Sequence, residues 1–349
     1  MLTVLSVSYP LAEVTRDAAG GAEQILSTLD RALVEAGHCS LVVAPSGSQV
    51  AGELCPVLLP PSPFDDAAKH LAQERTRAAI GSVLQRHRVD VVHCHGLDFA
   101  EYLPSADVPV LATLHLPLEW YGSEALRPAR PDTWLNCVSR TQHEACAPHP
   151  RLLGPVPNGV AVEALQARVS KRDFALVLGR ICPEKNVHVA IEAARDAGLC
   201  IVIAGRVYPY AEHQAYFDAM IRPKLGRHCH FVGPVGFERK RRLLTAARCL
   251  LVPSSAPETS SLVAREAAAC GTPTIAFPVG AMAEAIEQGR TGFLVRDQAG
   301  MSSAIRGAAA LDPEVCRAVA RQRFSDRSMI AAYLELYSRL ARRGSGLPS

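Results

Sequence analysis

The sequence predicts an α/β protein made of two doubly wound parallel-sheet domains. Short apolar runs alternate with helical stretches, and the alternation pauses once near the middle before resuming. At roughly 100–200 residues per domain, a 349-residue chain has room for two such units.

In chain order, Val4–Ser8, Leu41–Ala44, Val89–His93, Val110–Thr113 and Trp134–Val138 read as buried strands. Helical stretches such as Ala22–Ala36 and Asp66–Arg86 lie between them. Nearly continuous apolar strands separated by helices imply a parallel sheet covered on both faces. Pro155, Pro157, Asn158 and Gly159 then form a turn-rich break, and Val169–Asp173 is polar. A second series follows with Phe174–Leu178, Leu199–Ala204, His230–Val232, Leu250–Pro253 and Thr274–Phe277. The expected domains are 1–160 and 170–324, joined near 157–173. Ser328–Leu340 reads as an amphipathic terminal helix with Ile330, Tyr333, Leu334 and Tyr337 on one side, and the tail after Arg343 as frayed.

Composition narrows the function. Apolar residues make up 48% and charged residues 20%, an ordinary globular balance. A net charge of +3 is too mild for a nucleic-acid binder, which carries a strong basic stripe. No run approaches the ~20 apolar residues of a membrane span. Met1–Ser8 is apolar but has no basic region before it and is interrupted by Tyr9 and Pro10, so no secretory leader is expected. The 11 cysteines form no C-x-x-C pair and fall mostly in apolar runs, as Cys200, Cys249 and Cys270 do. They read as reduced, buried small hydrophobes of a cytoplasmic protein.

Ligands of open α/β sheets bind beyond the carboxyl ends of the strands, and two such domains facing each other would make a cleft. Four loops there hold chemistry. Ala18-Ala19-Gly20-Gly21-Ala22-Glu23 precedes the first helix, and Gly20 and Gly21 let backbone N–H groups approach an anion; a plain flexible turn reads equally well. His115 ends the strand Thr113-Leu114-His115 and reads evenly as a cleft residue or a strand-end packing histidine. His93 and His95 alternate as metal ligands do, but with no third ligand at useful spacing they read as packing.

In Leu178-Gly179-Arg180-Ile181-Cys182-Pro183-Glu184-Lys185, the cations Arg180 and Lys185 suit a diphosphate. The bland alternative is a surface pair bridging to Glu184. Pro257–Pro273 gives the strongest signal. Thr259, Ser260 or Ser261 can cap a helix there, which Gly271 and Pro273 stop. A capped N-terminus seats phosphate. Glu258 and Glu266, eight positions apart, can then accept hydrogen bonds from different hydroxyls of one extended ligand. The apolar surround of that helix argues against Glu266 being spent on a neighbouring cation.

Glu258-x7-Glu266 followed by Ala-Cys-Gly-Thr-Pro resembles the E-x7-E motif of retaining family 4 glycosyltransferases with the GT-B fold, two Rossmann-like domains facing an interdomain cleft. Gly20-Gly21-Ala22-Glu23, Val92-His93-Cys94-His95, Thr113-Leu114-His115, Val156-Pro157-Asn158-Gly159-Val160, Gly179-Arg180 with Pro183-Glu184-Lys185, and Gly289–Val295 are similar to further elements of that family, in its order. The resemblance implies a donor nucleotide-diphosphate sugar (UDP-, GDP- or ADP-linked), an acceptor read by residues 1–160, and a terminal helix, 325–343, that packs back onto that domain. It implies that Arg180 and Lys185 neutralise the diphosphate and that Glu266 holds the ribose. Glu258 would hold the sugar, and His115 would lie near the reacting centre. Gly20, Gly21, Thr259, Ser260, Ser261 and Leu262 would line the donor, and the Gly233-Pro234-Val235 loop, through Val235, the base. Retention by front-face displacement, no general base and no metal are further implications; no Asp-x-Asp motif is present. Where family members often have Gly-Phe-Gly between the glutamates, this chain has Thr259-Ser260-Ser261. That change bears on the identity of the donor sugar.

A non-catalytic nucleotide-sugar binder, and a phosphorylase or epimerase on the same fold, are the alternatives. The helix Asp66–Arg88 carries Lys69, Arg75, Arg77, Arg86 and Arg88 interleaved with Leu71, Ile80, Val83 and Leu84. It reads first as a solvated basic face and second as a peripheral contact with anionic lipid.

Overall fold

The computed structural model describes residues 1–18, 20–61 and 65–344. The chain divides into two compact units: Met1–Pro157 with the chain from Ser328 on, and Asn158–Arg327.

Unit 1 contains a six-stranded sheet of β1 (Thr3–Val7), β2 (Cys39–Pro45), β3 (Glu53–Val57), β4 (Val91–Cys94), β5 (Val110–Leu114) and β6 (Thr133–Cys137). All pairings are parallel and the order is β3-β2-β1-β4-β5-β6. Unit 2 repeats this with β7 (Phe174–Leu178), β8 (Cys200–Ala204), β9 (Cys229–Phe231), β10 (Cys249–Val252), β11 (Thr274–Ala276) and β12 (Gly292–Leu294), in the order β12-β11-β10-β7-β8-β9. Counted from its own first strand, each sheet runs 3-2-1-4-5-6. In both, chain direction across the sheet reverses at the middle, between β1 and β4 and between β7 and β10.

Among the described residues there are eight helices of eight or more residues, five between strands and three after the last one: α1 (Gly21–Glu35), α2 (Asp66–Arg86), α3 (Val187–Asp196), α4 (Phe237–Ala246), α5 (Leu262–Ala269), α6 (Gln298–Gly307), α7 (Pro313–Arg323) and α8 (Asp326–Gly344). Central strands are largely apolar because both their faces are covered: Val4, Leu5, Val91, Val92, Val110 and Leu111 are wholly buried.

The sequence reading is corrected at β3, which it did not predict. This is an edge strand in which exposed and buried residues mix, and it contains Pro56. An edge tolerates proline because one side of it needs no ladder donor. The apolar residues of α2 are also spent internally: Ile80 and Val83 are buried in the core of unit 1 and Leu84 packs against it. Arg75 donates to the Leu58 and Leu59 carbonyls and Arg77 to that of Glu101. Those side chains hold unit 1 together. Among the described residues, no helix is long and apolar enough to cross a membrane. None of the 11 cysteines is bridged, and all but Cys39 and Cys200 are buried.

The terminal helix returns to unit 1. Tyr333 and Tyr337 of α8 are buried among His93, Thr113 and Asn136. The apolar stripe expected on this helix therefore faces protein.

Candidate functional site

In a doubly wound sheet, the crevice at the reversal point receives the loops that follow the two central strands. In unit 2 these are the loops after β7 and β10. The first carries Arg180 and Lys185 and the second carries Glu258 to Ser261, so the local topology brings together residues 73 positions apart in sequence: Lys185 Nζ lies 2.5 Å from Glu258 Oε1. The two loops are tied further. Ser255 N donates to Glu184 O at 2.9 Å and Asn186 Nδ2 to Pro253 O at 3.2 Å.

Arg180 takes the bland option raised from the sequence and faces Glu184 at 3.5 Å. Lys185 does not, because it pairs with Glu258. Both cations keep over a quarter of their side chains exposed (29% and 27%), so neither is sealed from a ligand.

The start of α5 differs from expectation. The helix begins at Leu262, and Ser261 sits at its N-cap with φ 51° and ψ 71°, making no side-chain cap bond. A serine in the left-handed region is strained by about 1–3 kcal/mol, and such strain concentrates at functional sites. The Oγ atoms of Ser260 and Ser261 are buried and have no partner in the structure. The first N–H groups of any helix also lack intrahelical acceptors. Unspent donors thus collect at one helix terminus. Glu258 lies in the loop four residues before the helix, and Glu266 lies within it.

Glu266 is a second correction. It pairs with Lys240 of α4 at 2.5 Å, with side-chain exposures of 8% and 13%. Glu266 is thus spent on a cation after all, but in a nearly buried pair. Val235 packs half-buried against the core beside α4.

Two residues that hold this site were missed in the sequence. Arg265, 2% exposed, donates Nε to Ser260 O at 3.1 Å and Nη1 to Asn158 O at 2.5 Å, with its guanidinium over the Phe324 ring. Burial lowers its pKa to about 10. It fixes the strained turn from beneath. Gly280 has φ 58°, and a Cβ there would fall 2.4 Å from Glu258 O. Its bareness lets Ala281 N reach Glu258 O at 2.7 Å and anchors the glutamate.

Unit 1 contains the other named residues. Gly20 is the N-cap of α1 and Gly21 its first residue; Ala19, in the same motif, lies outside the described residues. A Cβ on Gly20 would fall 1.9 Å from Glu23 Oε2, so a carboxylate of the first turn already lies over this helix start. His115 is 7% exposed and its Nε2 lies 3.0 Å from His95 Nδ1. Burial lowers its pKa to about 3. Burial, with His115 nearby, also holds His93 well below the usual imidazole range; for His95, burial leads, followed by His93 and His115.

His93 is a packing residue, as the sequence suggested. Thr113 Oγ1 donates to Asn136 Oδ1 at 2.7 Å and so accepts from His93 Nε2–H at 2.7 Å. His93 Nδ1 is then left to accept the Tyr337 hydroxyl at 2.7 Å. His95 Nε2 is buried without a partner in the structure. No spacing in the sequence pointed to the tyrosine hydroxyls as histidine partners.

Comparison with known proteins places these features in a family. The model of the glycosyl transferases group 1 matches residues 163–315, and that of glycosyltransferase family 4 matches residues 19–147. Glycogen synthase of Mycobacterium tuberculosis is 27% identical over 259 residues, 63% of this chain and 60% of the relative. D-inositol 3-phosphate glycosyltransferase of Mycobacterium bovis is 36% identical over 146 residues, 40% of this chain and 30% of the relative. The chain therefore matches less than two thirds of the length of these curated relatives. Among solved structures, AviGT4, a glycosyltransferase involved in avilamycin A biosynthesis, has a TM-score of 0.73 at 24% identity and covers 98% of both chains. Anabaena HepE in complex with UDP-glucose has a TM-score of 0.77 at 19% identity, covering 97% of this chain and 100% of its own. The fold is GT-B.

Proposed function

This chain belongs to the family 4 glycosyltransferases, and from that premise we propose that it transfers a sugar from a nucleoside-diphosphate sugar to an acceptor. The proposal includes retention at the anomeric carbon and no metal ion bridging the diphosphate. One observation carries it. At the reversal point of unit 2, two accessible cations, a carboxylate and a helix start with unpartnered serine hydroxyls converge. In the proposed complex Arg180 and Lys185 take the diphosphate, and Ser260, Ser261 and the N–H groups of Leu262 and its neighbours add donors. Charge that a metal would otherwise supply to the leaving group is then furnished by these fixed groups. Glu258, released from Lys185, accepts from the sugar hydroxyls, and Glu266 from the ribose. His115, neutral and held by His95, can hydrogen-bond a sugar but carries no positive charge at neutral pH.

Because HepE was solved with UDP-glucose, a UDP-sugar is the first donor to try, with GDP- and ADP-sugars beside it. The test measures nucleoside diphosphate release and anomeric configuration of the product, with wild type, Arg180→Ala and Glu258→Gln. One donor class is expected to turn over with retention, and loss of the Arg180 cation to slow it about 10²–10³-fold. Added Mg²⁺ or Mn²⁺ should change the rate by less than about twofold. No release from any donor by folded protein supplied with mixed glycan and lipid acceptors would refute the reading.

A further inference from the structure

The loop that presents Arg180 and Lys185 also contains a thiol with two companions. Cys182 precedes the turn Pro183–Lys185, Glu184 lies within it, and His213 belongs to the short helix Ala211–Tyr216 packed beside it. One ligand atom of each residue (thiol sulfur, carboxylate oxygen, ring nitrogen) falls within 4.8 Å of the other two. Cys182 is wholly buried and His213 is 9% exposed. His213 Nδ1 is buried and has no hydrogen-bond partner in the structure.

That orphaned nitrogen is the second, independent observation. A buried polar atom left unsatisfied costs about 1–3 kcal/mol, which a metal bond at this nitrogen would relieve. A ring nitrogen of this histidine lies beside a thiol and a carboxylate, a set that matches zinc in softness and denticity: sulfur, imidazole nitrogen and carboxylate oxygen are its ordinary ligands. Tetrahedral ligands bound at about 2.0–2.3 Å stand roughly 3.3–3.8 Å apart, so the set, all within 4.8 Å, contracts by about an ångström at most on binding. Glu184, whose side chain is 26% exposed, has room to rotate toward the other two ligands, while His213 is buried and already in place.

We propose that Cys182, Glu184 and His213 bind one zinc ion, with a fourth position open to water. On binding, the Cys182 S–H proton leaves to solvent and the sulfur–zinc bond forms. Thiolate and carboxylate then balance the charge of the metal, and no buried group is left ionic and alone. Glu184 is also the partner of Arg180 at 3.5 Å. Drawing its carboxylate to zinc frees the guanidinium, a consequence that rests on the proposed donor site. Zinc would then act as a positioning ion for the phosphate loop, distinct from any ion on the diphosphate.

The test counts metal on intact protein. Chelator-stripped chain is incubated with excess Zn²⁺, desalted, and assayed by plasma mass spectrometry. About one zinc per chain is expected for wild type and for the control Cys39→Ser, and less than about a tenth for Cys182→Ser and His213→Gln. Wild type loaded with Co²⁺ should show a thiolate-to-cobalt charge-transfer band, which needs no variant and survives any folding failure of one. Zinc lost on desalting, as when a buried water fills the slot, overturns the proposal. So does cobalt binding without the band, or equal retention in the variants. No step uses a nucleotide, so failed sugar transfer would leave the zinc result standing, and the reverse holds too.

Discussion

Acidification from pH 7.5 to 5.5 should weaken unit 1 by about 4 kcal/mol through three histidines. His93, His95 and His115 are all buried, and burial holds each pKa below the ordinary 6.5, that of His115 at about 3. Folding thus requires the neutral ring. The unfolded chain takes up a proton as pH falls through about 6.5, while the native chain does not, so stability is complete above that pH and is lost below it, toward the folded values. For a ring that stays neutral in the native state, the loss is about 1.4 kcal/mol per histidine over this interval. Burial raises the Asp98 carboxyl and works in the opposite sense, so an Asp98→Asn background isolates the histidine effect.

The readout is specific. Both tryptophans of the chain, Trp120 and Trp134, lie in unit 1, so their emission during urea unfolding follows that unit alone. Replacing His93 by glutamine, which can still bridge a hydroxyl, should remove about a third of the pH effect. A urea midpoint that hardly moves between the two pH values would refute the neutral-histidine account, and with it the tautomer chain from Tyr337 to Asn136.

Three further outcomes follow from unit 2. Lys240→Met leaves Glu266 buried without its cation and should cost about 3–5 kcal/mol in chemical denaturation, most of it recovered by the double change Lys240→Met with Glu266→Leu. Arg265→Met strands the carbonyls of Ser260 and Asn158 and should cost about 2–4 kcal/mol while weakening nucleotide binding; Arg265→Lys restores charge but not the fork. Gly280→Ala, at a positive φ and against the Glu258 backbone, should cost about 1–3 kcal/mol and lower sugar-transfer rate more than nucleotide affinity, measured by turnover and calorimetry.

Strands buried on both faces were readable because such strands are uninterrupted apolar runs. β3 was not, because an edge strand mixes exposed and buried positions and admits Pro56. The loops after β7 and β10 drew attention because their residue types suit diphosphate and hydroxyl recognition, and the reversal point explains why two stretches so far apart in sequence meet. What stayed hidden depends on contacts with no local spacing. Lys240 reaches Glu266 from another helix, 26 positions away. Arg265 looked like one residue of an apolar helix, yet it fixes the turn before it. Ser261 reads as an ordinary N-cap serine, but its left-handed backbone carries the hydroxyl away from that role. The stripe of α8 was visible as apolar spacing, whereas the hydroxyls of Tyr333 and Tyr337 matter only once β4 and β5 are beside them.

The electrostatics of unit 2 bear on how the proposed donor would bind. Three carboxylates, Glu184, Glu258 and Glu266, pair with Arg180, Lys185 and Lys240, so these three cations are balanced before any ligand arrives. Three half-buried cations left bare would repel one another and lose solvation. Pairing removes that cost but means a diphosphate must exchange partners and cannot simply fill an empty positive site. Arg180 and Lys185, the more exposed pairs, are the exchangeable ones; Lys240 and Glu266, nearly sealed from water, are costly to separate. Exchange frees Glu258, whose carboxylate then needs new donors. A nucleotide sugar brings hydroxyls that supply them, and inorganic pyrophosphate brings none. The same pairs therefore make anion binding weak by itself and reward a ligand that carries both phosphate and sugar, which is how a transferase keeps its site from filling with phosphate alone.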